Sequence, residues 1–395
     1  MSFSTETGTG AGARVTAGFS SAFGEARDAA LFSAPGRTEL GGNHTDHQRG
    51  RVLAAAVGLG IHACAAPRDD GRVRFLSEGW LPLEIDISDS AAREDERGTT
   101  AALIRGTAAF IRARGIAVGG FDAYALSEIP PGAGLSSSAA CEVLLGRIMN
   151  SFYCGGELDA VTIARLAQRV ENEYFGKPCG LMDQMACSLG GALAMDFAEP
   201  QSPGVTRLPF DPEARGYALC IINTGASHAD LTDEYAAVPR EMGSVAAFFG
   251  KAALREVDEA EFSASLPALR RAAGDRAVLR AMHFFAEDAR VARQTGALLR
   301  GDFETFLSLV RESGRSSWEL LQNISPAGAA AEQPMALALA LGEKYLGGRG
   351  ACRVHGGGFA GAVQAYVPTD ALEGFTARMD AVFGEGSCRE IRVLR

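Results

Sequence analysis

The chain has 395 residues, of which 47% are hydrophobic and 22% charged, a balance typical of globular proteins with room for two domains. Acidic residues outnumber basic ones by 48 to 38, and the resulting net charge of −10 argues against nucleic acid or an anionic membrane as the main partner. No apolar run approaches the roughly 18 residues of a membrane span, and Met1 to Arg14 shows no signal-peptide pattern. We therefore expect a cytoplasmic protein that begins with a loose tail.

The eight cysteines are scattered along the chain, with no C-x-x-C pair and no spacing typical of a zinc site. Most of them stand among apolar residues. We predict that they are reduced thiols used as small buried side chains.

A polar loop is predicted after a short strand at residues 30–34. Residues 35–50 read PGRTELGGNHTDHQRG, which brings Arg37, Asn43, His44 and Asp46 together on a glycine-rich backbone. Proteins present several polar groups to one hydroxylated ligand in this way. A solvated loop without a ligand is the alternative.

The next segments predict a sheet and a helix. Between Cys64 and Gly98, alternating strand-like pieces indicate a mainly antiparallel sheet region. The apolar residues of the stretch from Thr100 to Arg114 recur at helical spacing, so an amphipathic helix is expected there.

A glycine-rich turn then opens onto a helix. The strand-like residues 120–127 are followed by PPGAGLSSSAA at 130–140 and by a helical pattern from Cys141. Unpaired N–H groups and the helix dipole favour an anion at such a helix start, and serine hydroxyls are donors and oxygen ligands for a hard metal ion. We predict that a polyphosphate binds to the phosphate loop, which consists of Gly132, Ala133, Gly134, Leu135, Ser136, Ser137 and Ser138. A capped turn without a ligand is the alternative.

Asp183 lies in an apolar setting beyond a predicted helix at 158–170. A carboxylate in such surroundings caps a helix, pairs with a cation or takes part in chemistry. Farther on, residues 217–224 predict a buried strand followed by a polar loop to Tyr235, and residues 241–320 predict a helical layer over a sheet. We expect His283 in that layer to be packed or solvated rather than catalytic. Gly356 to Gly358 indicate a backbone that approaches another part of the chain closely.

These motifs, in this order, resemble those of the GHMP small-molecule kinases. The phosphate loop resembles the motif P-x-x-x-G-L-S-S-S-A, and GGGFAG at 356–361 resembles the third motif G-G-G-F-G-G. The strings HTD at 44–46 and GLMDQ at 180–184 resemble the galactokinase family, whose sugar signature is G-R-x-N-L-I-G-E-H-x-D-Y. Arg37, His44 and Asp46 match that signature, whereas Glu39, Asn43 and His47 depart from it. The resemblance covers about residues 30 to 367.

The resemblance implies an α+β fold with two domains and an active site between them. The N-terminal domain, residues 15–200, would carry the polar loop, the phosphate loop and Asp183. The C-terminal domain, residues 205–395, would be ferredoxin-like and would carry the third glycine motif.

The implied activity is transfer of a phosphoryl group from ATP, with Mg²⁺, to the C1 hydroxyl of galactose. Asp183 and Arg37 would be catalytic, and Ser138 and Glu171 would bind Mg²⁺. The sugar contacts implied by the family are Asn43, His44, Asp46, Asp183 and Tyr235. For Glu171 an exposed helix charge is the alternative, and for Tyr235 it is an ordinary packing aromatic. We expect small-molecule partners only, and a monomer or weak homodimer.

Two other functions stay open. Galacturonokinase, or another kinase for a galactose-like sugar, is the close alternative, since the amide of Asn43 can donate a hydrogen bond where a carboxylate would repel a uronic acid. A sensor that binds sugar and ATP without catalysis is more remote, because Arg37, Ser138 and Asp183 are all present. A kinase for mevalonate or homoserine would leave the HTD string unexplained.

Overall fold

The structure is a computed structural model that describes residues 9–130, 132–225 and 231–395. The fold is a mixture of helices and sheets, which confirms the predicted α+β class. The described chain forms two compact units, one from residues 9–36, 58–130 and 136–189 and the other from residues 37–57, 132–135 and the described part of 190–395. The division into domains at residues 200–205 stays a prediction. Among the residues described, no helix has the length and apolar character that a membrane crossing needs.

The first unit contains helices and strands from the N-terminal half, and its strands β1 and β2 also contribute residues to the second unit. Its elements are α1 (Thr9–Phe23), β1 (Ala30–Gly41), β2 (Arg51–Arg68), β3 (Arg72–Ser77), β4 (Leu83–Asp86), α2 (Thr100–Arg112), β5 (Gly120–Ser127), α3 (Ser137–Tyr153), α4 (Ala160–Val170) and α5 (Met182–Leu189). Strand β3 pairs antiparallel with β4 and parallel with β5. Strand β5 pairs antiparallel with the second half of β2, so the predicted sheet is mainly antiparallel with one parallel pair.

The second unit begins with the first half of β2, which pairs antiparallel with β6. Its further elements are β6 (Ala192–Asp196), β7 (Gly204–Arg207), β8 (Tyr217–Asn223), α6 (Thr232–Phe248), α7 (Glu259–Ala264), α8 (Leu266–Ala273), α9 (Asp275–Leu299), α10 (Phe303–Ser316), α11 (Pro334–Leu346), β9 (Ala351–His355), β10 (Ala362–Pro368), α12 (Leu372–Phe383) and β11 (Cys388–Glu390). A four-stranded antiparallel sheet has the order β11-β8-β10-β9. Its apolar face packs with α11 and α12 around residues such as Ile222, Val363 and Met379.

The prediction of a loose N-terminal tail is wrong from Thr9 onward, because residues Thr9–Phe23 form a helix. Ala11, Val15 and Phe19 recur every fourth residue and are buried against Cys64 and Leu126. Burial of this apolar face stabilises a helix whose glycines and threonines have low intrinsic propensity. Residues 1–8 lie outside the described part of the chain.

Two predicted loops are shorter than expected. Strand β1 continues through Gly41, so the predicted polar loop at 35–50 is a true loop only at residues 42–50. Helix α6 already begins at Thr232, which places Tyr235 in a helix rather than in a loop. Residues 226–230 of that predicted loop lie outside the described residues.

All eight cysteines are free thiols. Six are buried, and Cys141 and Cys179 are half-buried. The prediction of reduced cysteines in the interior is therefore confirmed, with two partly accessible exceptions.

Candidate active site

The phosphate loop leads directly into the N-terminus of α3. Gly132 and Gly134 have φ angles of 72° and 69°, a left-handed region that favours glycine. A Cβ atom on Gly134 would lie 2.8 Å from Nδ1 of His355, so a side chain is excluded there for a second reason. Helix α3 has 17 residues, and the N–H groups of its first turn have no partners within the helix. The combination of a close backbone turn and a free helix start suits an anionic ligand.

Arg37 is attached to the same loop within the second unit. Its backbone N–H donates to the carbonyl of Leu135 at 3.1 Å, and its Nη1 donates to the carbonyl of Gly134 at 2.6 Å. Its side chain is buried, with 5% of the residue exposed. These bonds hold a guanidinium beside the backbone of the phosphate loop.

Asp183 is the second residue of α5 and accepts a hydrogen bond of 2.5 Å from Oγ of Ser136. Ser136 is the residue before α3, and its φ of 54° is unusual for a residue with a side chain. The serine makes no capping bond to its own helix. Its side chain therefore positions the Asp183 carboxylate beside the start of α3.

Loop 42–50 contains the predicted polar residues Asn43, His44 and Asp46. His44 has a φ of 58°, and Gly42 before it has a φ of 88°. Asp46 accepts from the backbone N–H of His47 at 2.9 Å and begins a short 3₁₀ turn, Asp46–Gln48. Because the backbone turns sharply at these positions, the side chains of neighbouring residues in the loop point in different directions.

The imidazoles of this loop are neutral at physiological pH. Burial lowers the pKa of His44 to about 4 and lowers the pKa of His47 well below its ordinary value. Because the carbonyl of Gly357 can only accept, Nε2 of His44 carries the proton of that 2.9 Å bond. Nδ1 of His44 then accepts from Nε2 of His47 at 3.2 Å. His283 is also fully buried, and burial lowers its pKa; it bonds Ser316 and the carbonyl of Asn43, so it is packed as predicted.

Tyr235 points its hydroxyl at the glycine loop, Gly356–Gly358, and donates to the carbonyl of Gly358 at 2.8 Å. Burial raises the pKa of this phenol to about 12, so it stays a donor at neutral pH. Its ring also packs edge-on against Phe359, with ring centroids 5.5 Å apart. The tyrosine is thus both a packing aromatic and a polar contact of the glycine loop.

Comparison with known proteins agrees with this geometry. Residues 17–67 match the model of the galactokinase galactose-binding signature, and residues 102–191 match that of the GHMP kinases N terminal domain. A galactokinase from Streptomyces coelicolor is 33% identical over 370 residues, which cover 92% of this chain and 91% of that protein. The chain belongs to the galactokinase family of GHMP kinases.

Solved structures share the galactokinase fold. Lactococcus lactis galactokinase, crystallised with galactose, has a TM-score of 0.82 at 24% identity, with 96% of this chain and 97% of that chain covered. Methanococcus jannaschii mevalonate kinase has a TM-score of 0.65 at 15% identity, with 94% and 100% covered. Family membership makes the chain an ATP-dependent sugar kinase.

The galactokinase family implies a magnesium ion, and the predicted ligands Ser138 and Glu171 both lie in the first unit. Glu171 is 2% exposed and opens a π-helical turn, Glu171–Phe175, so it is not an exposed helix charge. Its Oε2 accepts from Nε2 of Gln184 at 2.8 Å, and its Oε1 lies 3.3 Å from Nζ of Lys177.

A second buried carboxylate, Glu142, belongs to this cluster. It accepts from the same Gln184 nitrogen at 3.1 Å, and its Oε1 has no hydrogen-bond partner among the described residues. Burial and the nearby Glu171 raise the pKa of Glu142 well above its ordinary value. Glu142 and Ser138 are four residues apart on α3 and share one face of the helix. Carboxylate and hydroxyl oxygens of this kind fit a hard cation, although no group of at least three His, Cys, Asp or Glu side chains suited to a metal occurs in the described chain.

The candidate residues divide between the two units. The first unit holds Ser136, Ser137, Ser138, Glu171 and Asp183, and the second holds Arg37, Asn43, His44, Asp46, Tyr235 and residues 132–135. Sequence reasoning missed Glu142, although a glutamate on the apolar side of a predicted helix is a detectable signal. It also missed Asn323, which bonds Asn43 across 280 residues and has no local signal.

Proposed function

We propose that this protein transfers the γ-phosphoryl group of ATP to the anomeric C1 hydroxyl of galactose. The observation that carries the proposal is the bond between Ser136 and Asp183, which holds the only carboxylate of the GLMDQ string next to the helix start suited to phosphates. Phosphoryl transfer depends on positioning and charge stabilisation more than on covalent chemistry. The galactose-binding signature at residues 17–67 supports galactose as the acceptor.

The proposed roles follow from these contacts. Asp183 orients the C1 hydroxyl and accepts its proton, and Arg37 stabilises charge on the transferred group next to the Gly134 carbonyl. The N–H groups of residues 132–138 hold the phosphates, and His44, Asp46 and Tyr235 contact the sugar, with Asn43 in the same loop as His44 and Asp46. Ser138 and Glu171 would hold Mg²⁺, which neutralises phosphate charge when it is bound.

The test is ADP release from MgATP with a panel of sugars: galactose, galacturonate, arabinose, galactosamine and glucose. We expect turnover with galactose and a new phosphate ester at C1 in the ³¹P spectrum of the product. Turnover with galacturonate and none with galactose would overturn the choice of sugar. Binding of galactose and ATP without any ADP would overturn the assignment as an enzyme.

A further inference from the structure

The amide of Asn43 is surrounded by protein hydrogen-bond partners within the second unit. Its Nδ2 donates to the carbonyl of Gly356 at 2.7 Å and to the carboxylate of Glu39 at 3.2 Å. Its Oδ1 accepts from Nδ2 of Asn323 at 2.8 Å and from Oγ of Ser317 at 3.3 Å. An amide side chain has two N–H donors and two acceptor lone pairs, so these bonds use its whole capacity.

Because Asn43 is buried, its protein partners cannot be replaced by water. Asn43 is 1% exposed, and Glu39 beside it is 3% exposed and paired with the buried guanidinium of Arg353. A sugar hydroxyl could bond the Asn43 amide only if one of the four internal bonds broke. Breaking such a bond would leave a buried polar group without a partner, which is unfavourable.

The partners of Asn43 are parts of one structure, the glycine loop. Three successive carbonyls of this loop accept from side chains predicted to bind the sugar: Gly356 from Asn43, Gly357 from His44 and Gly358 from Tyr235. Nδ2 of Asn323 also donates to the carbonyl of Gly357, at 3.1 Å. Asn323 therefore links the Asn43 amide to the same loop a second time.

The glycine loop lies so close to its neighbours that a side chain is excluded at two of its positions. A Cβ on Gly357 would lie 2.6 Å from the ring of Tyr235, and a Cβ on Gly358 would overlap the carbonyl oxygen of Asn323. Gly358 also has a φ of 83°. The glycine loop is thus held closely by Tyr235 and Asn323, and it is bonded to loop 42–50 through Asn43 and His44.

We propose that Asn43 is a positioning residue, which fastens loop 42–50 to the glycine loop and makes no hydrogen bond to the sugar. The proposal deepens the proposed function and rests on it, because the site that Asn43 positions is the galactose site. It also removes the Asn43 amide from the groups that could select between galactose and a uronic acid.

The experiment uses Asn43→Asp, which keeps the shape of the side chain but replaces its donors with an acceptor facing the Gly356 carbonyl and Glu39. We expect kcat/KM for galactose to fall about 10- to 100-fold, the effect of losing a hydrogen bond of 1.5–3 kcal/mol that involves a charged group. The same variant is then measured with analogues that lack the hydroxyl at C2, C4 or C6. A positioning role predicts the same fold-loss with each analogue, since the effects of independent changes add.

Two further variants keep the test decisive. Asn323→Ala removes the partner on the other side of Asn43 and should give the same uniform loss, and combining it with Asn43→Asp should cost far less than the product of the single losses. Asn150→Asp is the matched control, because the side chain of Asn150 is a buried amide whose hydrogen-bond partner among the described residues is the backbone of Leu158. It should lower the melting temperature and leave the KM for galactose unchanged.

Direct contact predicts a different result, and that result would overturn the proposal: the loss in Asn43→Asp would vanish with the one analogue that lacks the contacted hydroxyl. If Asn43→Asp does not fold, the analogue series with Asn323→Ala decides the question. Coupling between positions 43 and 323 is also measured by urea unfolding without any substrate. If the wild-type protein fails to phosphorylate galactose, the proposed function fails, but the coupling measured by unfolding still reports on the link between the two loops. If the two substitutions change the free energy of unfolding independently of each other, that link is overturned.

Discussion

Loop 42–50 of the second unit and the cluster around Glu171 in the first unit differ in how completely their polar groups are hydrogen-bonded within the protein. The Asn43 amide and the His44 imidazole have both found protein partners, so the loop is shaped by the chain itself. Glu142 and Glu171 instead share one amide donor, Lys177 pairs with Glu171, and one oxygen of Glu142 lacks a partner among the described residues. A cation bound beside these oxygens would stabilise the carboxylate form of Glu142, whose pKa is raised well above its ordinary value by burial and by Glu171. Under the proposed function, loop 42–50 would be a preformed sugar side, and the first unit would hold a phosphate side, with Ser136, Asp183 and Glu171, that is completed by its ligand.

The largest effect should come from the phosphate side. Asp183→Asn keeps an acceptor for Ser136 but removes the negative charge, so kcat for galactose should fall at least about a hundredfold. ADP release at saturating galactose and ATP measures this, and a thermal melt close to that of the wild type shows that the fold is kept. A kcat within a few fold of wild type would rule out a catalytic role for Asp183.

A smaller fall in kcat is expected for Ser136→Ala, the change of the serine that bonds Asp183. The change removes the 2.5 Å bond to the Asp183 carboxylate, and losing a charge-assisted bond of about 1.5 kcal/mol corresponds to roughly a tenfold fall in kcat. Ser151→Ala, at an exposed position near the end of α3, is the matched control. Equal kcat values for the two variants would show that Ser136 does not position Asp183.

The smallest effect concerns the sugar side and is measured as stability. The pKa values of His44, His47 and His283 are lowered by burial, so the unfolded chain binds more protons than the folded one between pH 6.5 and about 4. Stability should therefore be fully present above pH 6.5 and fall as the pH drops through this window, by at most about 1.4 kcal/mol per pH unit for His44, with contributions in the same direction from His47 and His283. Urea unfolding at several pH values should show a shallower slope for His47→Gln. An unchanged slope would mean that His47 binds its proton equally well in the folded and the unfolded chain.

The parts of the candidate site that could be predicted from the sequence are short motifs of adjacent residues. The phosphate loop and the HTD string hold their chemistry within a few adjacent residues, and both lead into or lie next to regular elements that have clear periodicity. The strand–turn–helix around residues 120–153 was therefore expected from the sequence and is present.

Other features depend on contacts that no local pattern records. The bond between Asn43 and Asn323 joins residues 280 positions apart, and helix α1 is held by burial rather than by helix propensity. Strand β1 continues into the predicted polar loop because Leu40 and its neighbours are buried in the fold, an environment that the polar composition of the segment conceals.

The state of the thiols makes this protein suitable for site-specific labelling. The six buried cysteines are shielded from reagents, and the two half-buried ones, Cys141 and Cys179, have pKa values raised chiefly by burial, to about 12 for Cys141. Since the thiolate is the form that reacts, the native cysteines should react slowly with a maleimide near pH 7. A single cysteine introduced at an exposed position such as Glu332 would then carry a fluorophore without prior removal of the others.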